Sequence, residues 1–110
     1  MENIKRIQNG LRLGEYTNNP HQSATDLAML AGEYAYIMGQ LDEIYKSKSA
    51  IWNELRKKFK SDTACERSWQ STKDGMEETS LKLLEKSLGK MMSALKSLLR
   101  IAENEARNTM

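Results

Sequence analysis

Leu27, Leu30, Tyr34, Ile37, Leu41 and Ile44 stand alternately three and four residues apart, and Ile51 and Leu55 resume the pattern further on. That alternation draws a single apolar stripe along a helix, the a/d seam through which helices pack side by side. A strand would need a period of two. The seam therefore predicts one long helix. It starts at Ser23 or Thr25, with Asp26 suited to the positive N-terminal end, and runs to about Phe59. Lys48 and Lys58 occupy seam positions where apolar residues are expected. Gly32 and Gly39 fall on the outward face, where they weaken the helix without breaking the stripe.

Lys60-Ser61-Asp62 reads as the break. Thr63 followed by Glu66 fits a capping box, with Asp62 the competing cap. A second helix then runs to about Ala106, loosened at Gly75 and Gly89. Cys65, Trp69, Thr72 and Met76 start its seam. Leu81, Leu84, Leu88, Met91, Met92, Leu95, Leu98, Leu99 and Ala102 continue it after a phase shift of the kind a stutter produces.

Two long helices joined by a short turn give an all-α fold, a long antiparallel hairpin. The hairpin domain covers residues 23–110, and residues 1–22 form a short N-terminal arm of the same single domain. In the arm, Ile4, Ile7, Leu11 and Leu13 are the anchors. Asn9-Gly10 is a hairpin turn or a helix C-cap; a helix over about residues 2–9 ending at Gly10 is preferred. A lone hairpin leaves one side of each seam bare. Oligomerisation is the expected remedy, with Leu84, Leu88, Met91, Met92, Leu95, Leu98 and Leu99 as the interface.

Chemistry of the catalytic kind finds little to work with. The one histidine, His21, has no nucleophile or acid at a diagnostic spacing, and no metal, phosphate-loop or dinucleotide motif occurs. No cofactor, no metal and no enzymatic activity are expected. Cys65, near a helix start with Arg67 close by, is either a reactive thiol or a small apolar residue of the elbow core. With one cysteine no internal disulfide can form. The start MENIKRIQNG lacks an apolar signal core, and no apolar run approaches a membrane span. These features lead to the expectation of a soluble, cytoplasmic protein.

Binding is better served. The net charge of +2 conceals blocks: −4 over residues 21–45, then +5 over 46–60. In KSKSAIWNELRKKFK, Lys46, Lys48, Arg56, Lys57, Lys58 and Lys60 crowd one helix end, interleaved with Trp52 and Phe59. The macrodipole welcomes cations in the last turn, which accounts for Lys57, Lys58 and Lys60 but not for Lys46 and Lys48. Trp52 and Phe59, seven apart, share a face. They either pack against Trp69 across the elbow or stack on bases while the cations track phosphates. On the second helix, Lys82, Lys86, Lys90, Lys96 and Arg100 fall within an arc of about 120° at 100° per residue, which holds Ser93 and Ser97 but no carboxylate. A membrane-surface helix has a similar look, but here the apolar face is needed by the hairpin.

The acidic helical start, the Tyr/Leu seam, the basic LRKKFKSD elbow and the Leu/Met-rich last helix together resemble the UvsY-type recombination mediators of T-even-like phages, over about residues 25–105. The resemblance implies a homo-oligomeric helical protein of the host cytoplasm that binds single-stranded DNA. Such a protein helps a recombinase displace single-strand-binding protein. It also implies that Arg56 and Lys58 contact DNA and that the second helix supplies the oligomer interface. The N-terminal arm has no counterpart there, so contacts to the recombinase are not carried over. The rival expectation is a small helical interaction module, a phage-encoded inhibitor or adaptor, that binds no nucleic acid.

Overall fold

A computed structural model describes residues 2–108. The fold is all-α, a helical hairpin with four helices and no strand among the described residues: α1 (Glu2–Arg12), α2 (Pro20–Lys58), α3 (Asp62–Gln70) and α4 (Lys73–Asn108). The chain divides into two compact units, Met1–Ala35 with Lys86–Met110, and Tyr36–Glu85.

In the first unit, α1 continues past Gly10, the expected terminus, to Arg12. The glycine that ends it is Gly14, whose φ of 72° is the left-handed conformation that closes helices. Glu15 N–H donates to Gly10 C=O at 2.9 Å and Gly14 N–H to Leu11 C=O at 3.3 Å, the two bonds of a Schellman cap. Gly10 serves a different purpose. A Cβ there would lie 2.8 Å from Cε2 of Tyr16, so glycine lets the buried Tyr16 ring lie against the helix backbone.

The long helix also begins earlier than the seam suggests. Pro20 takes the first helical position, where its missing N–H is no handicap. Asn19 caps it, its side-chain oxygen accepting from the Gln22 N–H at 3.4 Å. Ile4, Ile7, Tyr16, Leu30, Leu88, Met91 and Leu95 form the core of this unit. Each such side chain contributes about 1.5–3 kcal/mol by leaving water. Leu13, expected to be an anchor, is 62% exposed because it lies beyond the helix in the turn.

The core of the second unit contains Ile37, Leu41, Ile44, Cys65 and Trp69. The break after Lys58 stands where the sequence predicts it, but the cap does not. Ser61 is the N-cap, its hydroxyl accepting from the Ala64 N–H at 3.1 Å. Thr63 sits inside the first turn, and Glu66 reaches across to Lys48 instead of back to the cap. A second break, at Ser71 and Thr72, divides what the sequence presents as one helix. Thr72 builds it: its hydroxyl donates to the Trp69 C=O at 2.6 Å and accepts the Gly75 N–H at 3.0 Å, capping α4. Gly75 is required there, because any Cβ would overlap the Trp69 carbonyl oxygen. The break turns Met76 outward, 57% exposed instead of in the seam. Gly89 lies within continuous helix.

Candidate functional site

The basic block at the end of α2 is a mixture of neutralised and free charge. Lys46, 68% exposed, bridges Asp42 at 3.2 Å and Glu43 at 3.8 Å on its own helix, and the Asp42 contact foremost holds its pKa above the usual lysine value. An anionic ligand approaching Lys46 meets two carboxylates as well. Arg56 pairs with Asp62 at 2.6 Å, and Lys57 with Glu54 at 3.3 Å.

Lys48 is the most constrained. Its side chain is only 20% exposed, with Nζ 3.3 Å from Glu66 and 3.5 Å from Glu78. It also lies 5.5 Å from the ring centroids of both Trp52 and Trp69, within cation–π range. Glu78 is buried and also receives Lys82 at 3.3 Å. A lysine at an apolar seam position is thus accounted for by two carboxylates and two indoles from three helices. The Trp69 ring is fully buried beside it, while Trp52 is half-buried.

What remains free at the elbow is a smaller patch. Lys58 and Lys60 are exposed and form no ion pair among the described residues, and Phe59 between them is 37% exposed. Phe59 borders a concavity of about 510 Å³ lined also by Ser61, Thr63, Ala64, Arg67 and Ser68. Arg67 is likewise exposed and unpaired among the described residues. Sequence reasoning misses Arg67 as a binding residue because it stands outside the basic block, in residues 61–80, whose net charge is −3. The short α3 is what carries it to the lip holding Phe59. Trp52 lines a neighbouring groove of about 720 Å³ with Arg56, Asp62, Thr63, Glu66, Arg67 and Gln70.

Of the residues expected at an oligomer interface, Leu88, Met91 and Leu95 are already buried by the chain itself. Leu84, Met92, Leu98 and Leu99 are half-buried. Cys65 is fully buried, its thiol sealed from solvent as a core side chain. Among the described residues no group of three or more His, Cys, Asp or Glu could hold a metal ion, and no helix is long and apolar enough to cross a membrane.

Cations on α4 are arranged differently from those on α2. Lys82 is matched by Glu78, but Lys86, Lys90, Lys96 and Arg100 are exposed and form no ion pair among the described residues. No protein-family model, curated protein or solved structure matches this chain.

Proposed function

We propose that this chain is an oligomeric single-stranded DNA-binding protein, in the manner of a phage recombination mediator that assists recombinase loading. The observation that carries the reading is the elbow patch: an exposed Phe59 beside the unpaired Lys58, Lys60 and Arg67 at a concave surface. An aromatic face stacks on any base, and neighbouring cations hold the phosphates on either side, which is what sequence-tolerant strand binding needs. Lys48 is assigned a structural part in this reading, and Lys46, Arg56 and Lys57 bind only by exchanging a carboxylate for a phosphate. Several copies on one strand gain avidity through repetition of the same site. Recombinase and single-strand-binding protein are the partners such a role requires.

Fluorescence anisotropy of labelled oligo-dT, read with light scattering for subunit number, tests this. Log affinity should fall linearly with log salt, and a protein that shows no binding at about 50 mM salt is not a strand binder. Phe59→Ala should weaken binding by about 1–3 kcal/mol if one base stacks there. Arg56→Ala with Lys58→Ala should weaken it while the assembly survives; dissociation instead makes the elbow an interface.

A second reading has its own support. Tyr36, Met38, Met76 and Leu83 are 65%, 40%, 57% and 66% exposed in the second unit. Large apolar side chains held in water are what a protein partner covers, as an adaptor or inhibitor would require. Absence of oligo-dT binding together with capture of a protein partner through these side chains decides for it.

A further inference from the structure

We propose that the solvent face of α4 bearing Lys86, Lys90, Lys96 and Arg100 is a second binding surface for the phosphate backbone of single-stranded DNA. This rests on the strand-binding reading above and extends it from the elbow to the other unit of the chain.

The chain supplies its own standard of comparison. On α2, two of the exposed cations ahead of the terminal Lys58 are answered locally: Lys46 has Asp42 and Glu43, and Lys57 has Glu54, at three or four residues' distance. On α4 that device stops after Lys82. Lys86, Lys90 and Lys96 have no acidic residue three or four positions away on either side. Instead Lys82, Lys86 and Lys90 follow one another at intervals of four, and Lys96 precedes Arg100 by four. Like charges at that spacing repel across one turn and destabilise a helix. Glu103, three beyond Arg100, forms no ion pair with it. A merely solvated face gains nothing from this arrangement, whereas a polyanion relieves the repulsion at every step.

The residues between the cations suit the same ligand. Ser93 and Ser97 are exposed within the arc, and hydroxyls donate to phosphate oxygens alongside Lys and Arg. The cations recur along one side of the helix, so they form a track instead of a point site. A membrane is the poorer fit. A helix lying on lipid inserts the apolar side opposite its cations, and here Leu88, Met91 and Leu95 on that side are buried within the protein.

The test compares three proteins carrying the whole 110-residue sequence: wild type, an α4 variant carrying Lys86→Gln, Lys90→Gln, Lys96→Gln and Arg100→Gln, and an elbow variant carrying Lys58→Gln, Lys60→Gln and Arg67→Gln. Oligo-dT affinity is measured from low to moderate salt. Every phosphate that a variant no longer neutralises should flatten the log–log salt slope by about 0.7, so the α4 variant should drop by up to about 2.8 in slope and at least tenfold in affinity. Wild-type binding with an unchanged α4 variant overturns this inference and leaves the elbow reading standing. Absence of wild-type binding overturns the strand-binding reading itself, and this inference with it. Wild-type binding to phosphatidylserine vesicles that the α4 variant abolishes, with oligo-dT binding intact, overturns it in favour of a lipid surface. Should the quadruple variant lose its helical circular dichroism, Lys90→Gln and Lys96→Gln singly carry the test, each flattening the slope by about 0.7.

Discussion

Tyr16 donates its hydroxyl to the Asp26 carboxylate at 2.6 Å, and both side chains are buried. The same carboxylate accepts two bonds from Arg6, at 2.9 and 3.1 Å, and one from Gln22 at 3.0 Å. One buried charge thereby ties α1, the turn after it and the start of α2 together. The Arg6 bonds foremost hold Asp26 down to about 2, against the opposing effect of its burial. Burial, reinforced by the bond to Asp26, pushes Tyr16 up to about 12.

Acid should loosen this unit in a defined window. Asp26 titrates lower folded than unfolded, so its contribution is complete above the ordinary value of 3.8 and is lost as pH falls towards about 2. The shift corresponds to about 2 kcal/mol. Tyr16 works in the other direction: its contribution is complete below 10 and fades as pH rises towards about 12. Urea titrations from pH 2 to 6 should show the acid loss in wild type and a much flatter profile in Asp26→Asn. Asp26→Asn should itself cost about 2–3 kcal/mol at neutral pH. Equal profiles for the two proteins would locate the acid sensitivity elsewhere.

Two glycine substitutions should fail although alanine is the better helix former. Gly10→Ala forces the Tyr16 ring away and strains its bond to Asp26. Gly75→Ala meets backbone, the Trp69 carbonyl, which cannot yield as a side chain tip does. Gly75→Ala should therefore cost more than Gly10→Ala, whereas Gly32→Ala and Gly39→Ala, with open space around them, should stabilise by up to about 1 kcal/mol. Thermal melts of the four variants establish the order.

Replacing Lys48 by methionine should cost about 3 kcal/mol, since the buried Glu78 then keeps only the half-exposed Lys82. The double variant Lys48→Met with Glu78→Gln should be less destabilised than the two single costs added, because the second change removes the stranded charge. Strict additivity in denaturant titrations would mean that the two side chains do not interact.

The competing caps at the elbow are separable. Ser61→Ala should cost about 0.5–2 kcal/mol by orphaning the Ala64 N–H, whereas Thr63→Ala should stay within about 0.5 kcal/mol. A larger loss at Thr63 would reinstate the capping box.

The seam of α2 is legible in the sequence because apolar periodicity reports burial directly: Leu30, Ile37, Leu41 and Ile44 are all in the core. The caps are less so. Ser61, Asp62 and Thr63 are all competent, and only the path of the chain selects among them. The break at Thr72 has no proline to mark it; its trace is Gly75, whose need arises from Trp69's carbonyl and not from its neighbours in sequence. For the candidate site, counting cations locates the basic block but not its net effect. Lys48 and Arg56 are answered by carboxylates that the sequence does not place beside them, Glu66, Glu78 and Asp62. Asp26 reads as a helix-end charge because nothing local reveals that Arg6 and Tyr16 converge on it.

The lysine among the indoles has one more consequence. A stripe of Leu and Ile repeating every seven residues looks nearly the same to its partner after a slide of one heptad. Lys48 does not. Displaced by that distance, it would leave both carboxylates behind, and Glu78 would be buried with one cation fewer. Like the single tooth that lets a key turn in one lock only, Lys48 sets the alignment of the helices around it, a task that leucine at the same position would do worse.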